Sequence, residues 1–419
     1  MPVSIDLDDP YSIRTNHDIV SGHVNLYVKT AIKVFTIFIK LKGESRSQIV
    51  PSSNSNAARG RPVIESHKIL YQSQKLFPED RLGLFLHPPR KLKAGRHKFK
   101  FNFQIPLETD CKDQRQVLPD INYDLVSSRE DVQCDHIKQI LPPSLIGLPG
   151  LAEINYYIKV TVRCSPIFRD SLRSIFRFRF LPLTPPGITR SENIFTATRI
   201  PFKFQEKIIS NTKDLNKSER EATDITPIGE LLVRFPQPAI LISSEHLPLE
   251  LSIRKLNKCS KQLFLVSFSL HIISQVKAIA NRMEKINSST WVFANLCGLS
   301  IEIGSVNDNE NTECFISQNL WCHLQIPSNI GPSFQTCNIS RSYELDIRVG
   351  LGFGTTKNIQ PQTIFLSLRL PIEIYSGVPR STIRDFITSP ATVLATPQSM
   401  LTLENDTPPP SYESSFATY

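Results

Sequence analysis

The sequence predicts an all-β chain: two β-sandwich domains in tandem, followed by a disordered C-terminal tail. Three observations carry this prediction. Runs of strict apolar/polar alternation recur along the chain, Pro and Gly punctuate them, and helical period is weak throughout. The 419 residues suffice for two domains. Hydrophobic residues make up 40% and charged residues 21%, a globular balance. Large core side chains are plentiful, with 24 Phe against 16 Gly, and 31 Pro favour turns, edge strands and linkers.

The elements follow in order. Val20, Gly22, Val24, Leu26 and Val28 alternate with polar residues, as in a half-buried strand. The run 32–41, ending at Gly43 with Lys33 and Lys40 outward, lies so close behind that the pair reads as a hairpin. Residues 44–66, rich in Ser, Asn and Arg, read as a surface loop. Strand character returns over 69–76. Phe99, Phe101, Phe103 and Ile105 then line one face of a strand stopped by Pro106. The segment 107–150 is irregular and holds Leu141-Pro142-Pro143-Ser144. It is followed by a strand over 154–162 and by Phe176, Phe178 and Phe180 interleaved with Arg177 and Arg179.

These elements set the first domain at 1–185 and a hydrophilic linker or edge loop at 186–228. A second sandwich follows at 229–375, with strands over 249–253, 263–273, 343–349 and 364–374. The best helical candidate is 272–286. From Ser376 the composition shifts toward Ser, Thr and Pro, with two basic and four acidic side chains. Such a stretch buries too little apolar surface to offset its ordering entropy, so 376–419 is expected to be disordered.

Composition also bounds function. A net charge of +9 favours anionic partners without choosing among acidic protein segments, lipid headgroups and nucleic acid. No signal peptide and no apolar run of spanning length is read, which predicts a cytosolic chain. The eight cysteines form no Cys-x-x-Cys pair and are expected as reduced, often buried thiols. The nearest metal-like grouping, Cys314, Cys322 and His323, has no zinc-module spacing, so neither a metal nor a cofactor is expected. Gly350-Leu351-Gly352-Phe353-Gly354 precedes a strand rather than a helix and is read as a turn or bulge, not a phosphate loop. No nucleophile elbow, carboxylate pair or triad emerges, so the chain is not expected to be an enzyme.

The sharpest local signal is Pro408-Pro409-Pro410-Ser411-Tyr412. Consecutive prolines preset polyproline II geometry, and Pro-Pro-x-Tyr is the form that WW domains read: aromatic grooves hold Pro409 and Pro410, and a pocket takes Tyr412. A chance match in a Pro-rich linker is the plain alternative, against which stands the motif's place in an accessible tail. The second signal is basic. Arg177 and Arg179 face outward, and Arg90, Lys91, Lys93, Arg96, Lys98 and Lys100 add charge to the same domain. Its plain alternative is a solvated strand face.

The segments Asp18 through Leu26, the strand ending at Gly43, Phe99 through Pro106, Leu141-Pro142-Pro143-Ser144 and 154–162 with Tyr156 together resemble an arrestin N-terminal domain. The second half, with 342–349 and 366–374, is similar to the closing strands of an arrestin C-terminal domain. The Pro-Pro-x-Tyr tail turns the resemblance toward the fungal arrestin-related trafficking adaptors, or alpha-arrestins. This chain carries one such motif where many members carry several.

The resemblance implies an adaptor. Its body would bind the cytosolic segment of a plasma-membrane transporter. Its tail, through Pro409, Pro410 and Tyr412, would recruit a HECT-type ubiquitin ligase carrying WW domains, leading to ubiquitination and endocytosis of the cargo. Arg177 and Arg179 would meet acidic cargo or anionic lipid, and Lys203, Lys207, Lys213 and Lys217 are accessible ubiquitin acceptors. The implied location is the cytoplasm, peripheral to the plasma membrane or endosomes. Two alternatives remain: an arrestin-fold sorting scaffold that acts without a ligase, and a basic β-sandwich nucleic-acid binder. Nucleic acid is not expected as a partner.

Overall fold

Period-two alternation dominates the structure, a computed structural model. It describes residues 2–51, 61–78, 89–109, 111, 138–164, 171–184, 195–205, 226–259, 261–355, 358–359 and 362–378. Apart from one 3-10 turn, Gln318–Leu320, the regular elements among these residues are strands. Residues 1–380 form one compact unit.

The first half contributes β1 (Val3–Leu7), β2 (Ile19–Val28), β3 (Ile32–Val34), β4 (Thr36–Ile49), β5 (Val63–Phe77), β6 (Arg90–Leu92), β7 (Gly95–Gln104), β8 (Ala152–Arg163) and β9 (Ser171–Phe178). One sheet has the order β1-β2-β7 and the other β5-β4-β8-β9, with β3 and β6 paired separately. Inward residues of both sheets share one core, including Val20, Val24, Phe101, Ile39, Tyr156 and Val160. The Leu141-Pro142-Pro143-Ser144 segment closes it: the Tyr156 hydroxyl donates to the Pro142 carbonyl at 2.6 Å, and Phe180 N donates to Ser144 Oγ at 3.0 Å.

The second half contributes β10 (Phe195–Lys203), β11 (Ile228–Pro236), β12 (Ile240–Ile242), β13 (Glu250–Lys255), β14 (Gln262–Ala280), β15 (Met283–Ile303), β16 (Glu313–Phe315), β17 (Phe334–Gln335), β18 (Ile339–Thr355), β19 (Asn358–Ile359) and β20 (Ile364–Tyr375). A sheet of order β10-β11-β13-β16 faces one of order β12-β20-β18-β14-β15, and β17 and β19 flank β18. Phe268, Trp321, Leu345 and Val349 lie in the core between them.

Four expectations need correction. The strand over 20–28 does not form a hairpin with its successor: β2 pairs with β1 and β7, while β4 lies in the opposite sheet. The chain crosses between sheets at 29–35, so adjacency in sequence misleads. The expected loop over 44–66 is largely strand, because β4 runs on to Ile49 and β5 starts at Val63. Its inward residues Ser45 and Ser47 are polar, yet both are fully buried.

The expected helix over 272–286 is the hairpin β14–β15. It turns at Asn281 and Arg282, both at positive φ, the geometry of a type I′ turn. Ile273 and Ile279 on the outward face blur its alternation. Finally, the expected linker over 186–228 contains β10, an edge strand whose mostly exposed residues hide its period. Pro201 is tolerated there because the position lies at the edge of its sheet. The Gly350–Gly354 stretch, read as a turn or bulge, lies within β18, opposite the register shift between Leu265 and Ser267 of β14.

Hydrogen bonds join the halves, most of them between buried groups. The Ser45 hydroxyl donates to Asn338 Oδ1 at 2.6 Å, and Asn338 Nδ2 donates to Ser47 Oγ at 3.0 Å. Ser47 also donates to the Ile279 carbonyl, and Asn281 N donates to Glu65 Oε2 at 2.9 Å. Val276, Ala278 and Ile339 of the second half pack into the core of the first.

Candidate functional site

Strand parity builds a basic face. With Ile39, Leu41, Ile158 and Val160 directed into the core, their neighbours on β4 and β8 must point outward. The register then sets Tyr71, Lys42, Tyr157 and Arg177 in one row across the sheet β5-β4-β8-β9. Ser73, Lys40, Lys159 and Ile175 form the next, and Lys75, Phe38, Thr161 and Arg173 a third. Arg177 and Arg179 are exposed and share one parity, so the predicted pair stands on this face and just past its edge. Arg96, Lys98 and Lys100 belong instead to β7 in the other sheet, pairing with β2, so they do not extend this surface.

The electrostatics of the face are unfavourable in isolation. Lys40 and Lys159 stand directly opposite each other, where like charges destabilise a sheet. Partial burial, with Lys42 and Arg173 beside it, holds the Lys159 ammonium below the usual lysine range. Aromatic rings offset part of this: Lys40 Nζ lies 5.2 Å from the Tyr71 ring centre, and Lys42 Nζ lies 5.8 Å from that of Tyr157. Glu44 accepts from Lys42 at 3.3 Å, and burial together with Glu44 pushes the Tyr157 hydroxyl up. An acidic peptide or an anionic headgroup laid across these rows relieves the mutual repulsion, and the arginine forks suit carboxylate or phosphate oxygens.

Among the remaining candidates, Lys203 is exposed at the end of β10. Lys207, Lys213 and Lys217, and Pro409, Pro410 and Tyr412 with the rest of the tail, lie outside the described residues. Cys314, Cys322 and His323 are not brought together as a metal-ligating group; the Cys314 thiol donates to Asp308 Oδ2 at 3.4 Å.

Instead, among the described residues, the structure gathers His67, Cys111 and Cys337. Sequence reasoning missed this group because its members lie far apart in the chain. Burial disfavours charge on His67, but hydrogen bonds to Cys337 and Glu65 outweigh it and push its pKa up to about 9. Among the described residues no helix is long and apolar enough to cross a membrane.

Comparison with known proteins agrees with this architecture. Residues 3–112 match the family described as Arrestin (or S-antigen), N-terminal domain. Over 126 residues the chain is 22% identical to "Arrestin-related trafficking adapter 10" of Lachancea thermotolerans, a stretch that covers 27% of this chain and 29% of that relative. The chain therefore matches less than a third of the curated relative's length. Its tandem β-sandwiches, the first carrying the arrestin N-terminal match over residues 3–112, give the chain an arrestin-like fold, and over part of its length it is similar to an arrestin-related trafficking adapter.

Proposed function

We propose that the chain is an adaptor with two working surfaces. The basic face of β5-β4-β8-β9 binds an acidic cytosolic segment of a membrane transporter. Pro409, Pro410 and Tyr412 recruit a HECT-type ubiquitin ligase through its WW domains. Cargo ubiquitination and endocytosis follow, at the cytoplasmic side of the plasma membrane or endosomes, with Lys203, Lys207, Lys213 and Lys217 as acceptors on the adaptor itself. The observation that carries the cargo half is the opposed Lys40–Lys159 pair beside Arg173 and Arg177: like charges held together at a standing cost favour an anionic partner. The ligase half rests on the Pro-Pro-Ser-Tyr sequence and on the trafficking-adapter relative.

Two binding measurements test the reading. An Asp/Glu-rich peptide should bind the full chain in a salt-sensitive manner, and the double variant Lys40→Glu/Arg177→Glu should weaken it about tenfold, on the order of 1.4 kcal/mol. Unchanged affinity rejects the face as the cargo surface. A WW-domain array should bind the intact chain, and Tyr412→Ala should cost about 2 kcal/mol, roughly thirtyfold. Equal binding by the variant rejects ligase recruitment through this motif. Cargo sorting that survives deletion of 400–419 would favour a scaffold acting without a ligase.

A further inference from the structure

His67, Cys111 and Cys337 meet at the seam between the two sandwiches, separately from the basic face. Their ligating atoms all lie within 4.8 Å of one another. His67 is buried on β5, Cys111 follows β7, and Cys337 sits in the turn leading into β18. Cys111 and Cys337 are not joined as a disulfide; their sulfurs are 3.8 Å apart, and Cys111 Sγ lies 3.5 Å from His67 Nδ1. Those separations can be compared with a known coordination geometry. Tetrahedral zinc, with Zn–S near 2.3 Å and Zn–N near 2.0–2.1 Å, sets its S···S edge at about 3.8 Å and its S···N edge at about 3.6 Å.

The surroundings also suit a metal. Glu65 shares the inward parity of His67 on β5, and its Oε1 lies 2.7 Å from His67 Nε2. A carboxylate accepting from Nε2–H fixes the tautomer that places the ring lone pair on Nδ1, on the side of the two sulfurs, the usual arrangement around a metal-bound histidine. Glu65 is itself held by Asn281 N. The turn that presents Cys337 is rigidly built: Thr336 N donates to the Ile339 carbonyl at 2.7 Å, and Ile339 N donates to Thr336 Oγ1 at 2.9 Å. Asn338, the next residue, is anchored to Ser45 and Ser47. Two thiolates and an imidazole form a soft donor set that suits zinc rather than magnesium or calcium.

We propose that His67, Cys111 and Cys337 bind one zinc ion that clasps the second sandwich to the first, with the fourth coordination position open to water. Loading releases the ligand protons and ties together points 226 residues apart in sequence.

The test uses the untagged full-length chain, expressed in zinc-supplemented medium and purified without chelator. Elemental analysis should find about one zinc per chain, falling below about a tenth in Cys111→Ser/Cys337→Ser and unchanged in Cys297→Ser. A wild-type readout removes any dependence on whether the double variant folds. With zinc bound, alkylation of Cys111 and Cys337 by iodoacetamide should be slower by about tenfold than after chelation, while exposed Cys322 reacts equally in both states. Cobalt(II) substituted into the stripped wild type should give a thiolate-to-metal charge-transfer band. Background zinc in the wild type, zinc retained in the double variant, alkylation indifferent to chelation, or a Cys111–Cys337 disulfide in the purified protein would each overturn the proposal.

Discussion

Replacing Asn338 with Ala tests how the two sandwiches are held together. Asn338 is fully buried and is the hub of the seam. Its Oδ1 accepts from Ser45 at 2.6 Å, and its Nδ2 donates to Ser47 Oγ at 3.0 Å and, more weakly, to the Glu65 carbonyl at 3.3 Å. Truncation does not orphan every partner: the Ser45 hydroxyl can turn to Thr336 Oγ1, 3.3 Å away, and Ser47 keeps its bond to the Ile279 carbonyl. What is lost is two good buried hydrogen bonds, with the Glu65 carbonyl left poorly satisfied. At about 1 kcal/mol per net bond and 1–3 kcal/mol per unsatisfied buried group, the expected loss is about 2–3 kcal/mol. For a unit of this size that is a fall in Tm on the order of 2–4 °C.

Both tryptophans, Trp291 and Trp321, lie in the second half, so fluorescence follows that sandwich while far-ultraviolet circular dichroism follows both. Urea unfolding read by both probes measures the change. Asn338→Asp should be worse, because it keeps the acceptor for Ser45 but turns a buried carboxylate toward the Glu65 carbonyl. A change below about 0.5 kcal/mol, the usual range of a surface substitution, would refute the view that this seam is structural.

Three further outcomes are expected. Tyr156→Phe removes the donor to the Pro142 carbonyl beneath Phe180 and should cost about 1–2 kcal/mol in chemical unfolding. At Gly43 an added Cβ would lie 2.7 Å from the Tyr156 ring and 3.0 Å from the Leu70 Cβ. Gly43→Ala should therefore lower stability by about 1–3 kcal/mol through overpacking, read as a lower thermal midpoint. Glu313 is held by Arg234, and despite the opposing effect of burial its pKa lies at about 2, below its ordinary value. Because the folded pKa is depressed, this contribution is complete above the unfolded value and is lost as pH falls through about 2. Acid titration of Glu313→Gln, followed by tryptophan fluorescence, should show a shallower loss of stability between about pH 4.5 and 2 than wild type.

The sequence was most legible where one face of a strand meets a purely apolar core. Val20 through Val28 and Phe99 through Ile105 are read correctly because burial there is hydrophobic and period two is strict. It was least legible where the buried surface is polar. Ser45 and Ser47 look like loop residues, yet they are inward strand positions whose hydroxyls are matched by a turn nearly 300 residues away. The basic face was half visible: Arg177 and Arg179 show their parity locally, but the rows that add Lys40, Lys42 and Lys159 exist only through the pairing of β4 with β8 and β9. The His67 group has no local signal at all. A spacing rule needs ligands close in sequence, and here Cys337 arrives from the second sandwich.

The packing of Val276, Ala278 and Ile339 into the first core has a consequence for biosynthesis. The first sandwich finishes its own strands by β9, but the last pieces of its core are translated roughly 150 residues later. At ribosomal rates of about 5–20 residues per second, that is a wait on the order of 10–30 s. During it the nascent half-protein carries an apolar patch on the core of its first sandwich without its cover, and two serines without their partners. Ribosome-bound chains halted before Ile339 should therefore be sensitive to protease and good clients for chaperones, and should lose both properties once the closing strand emerges.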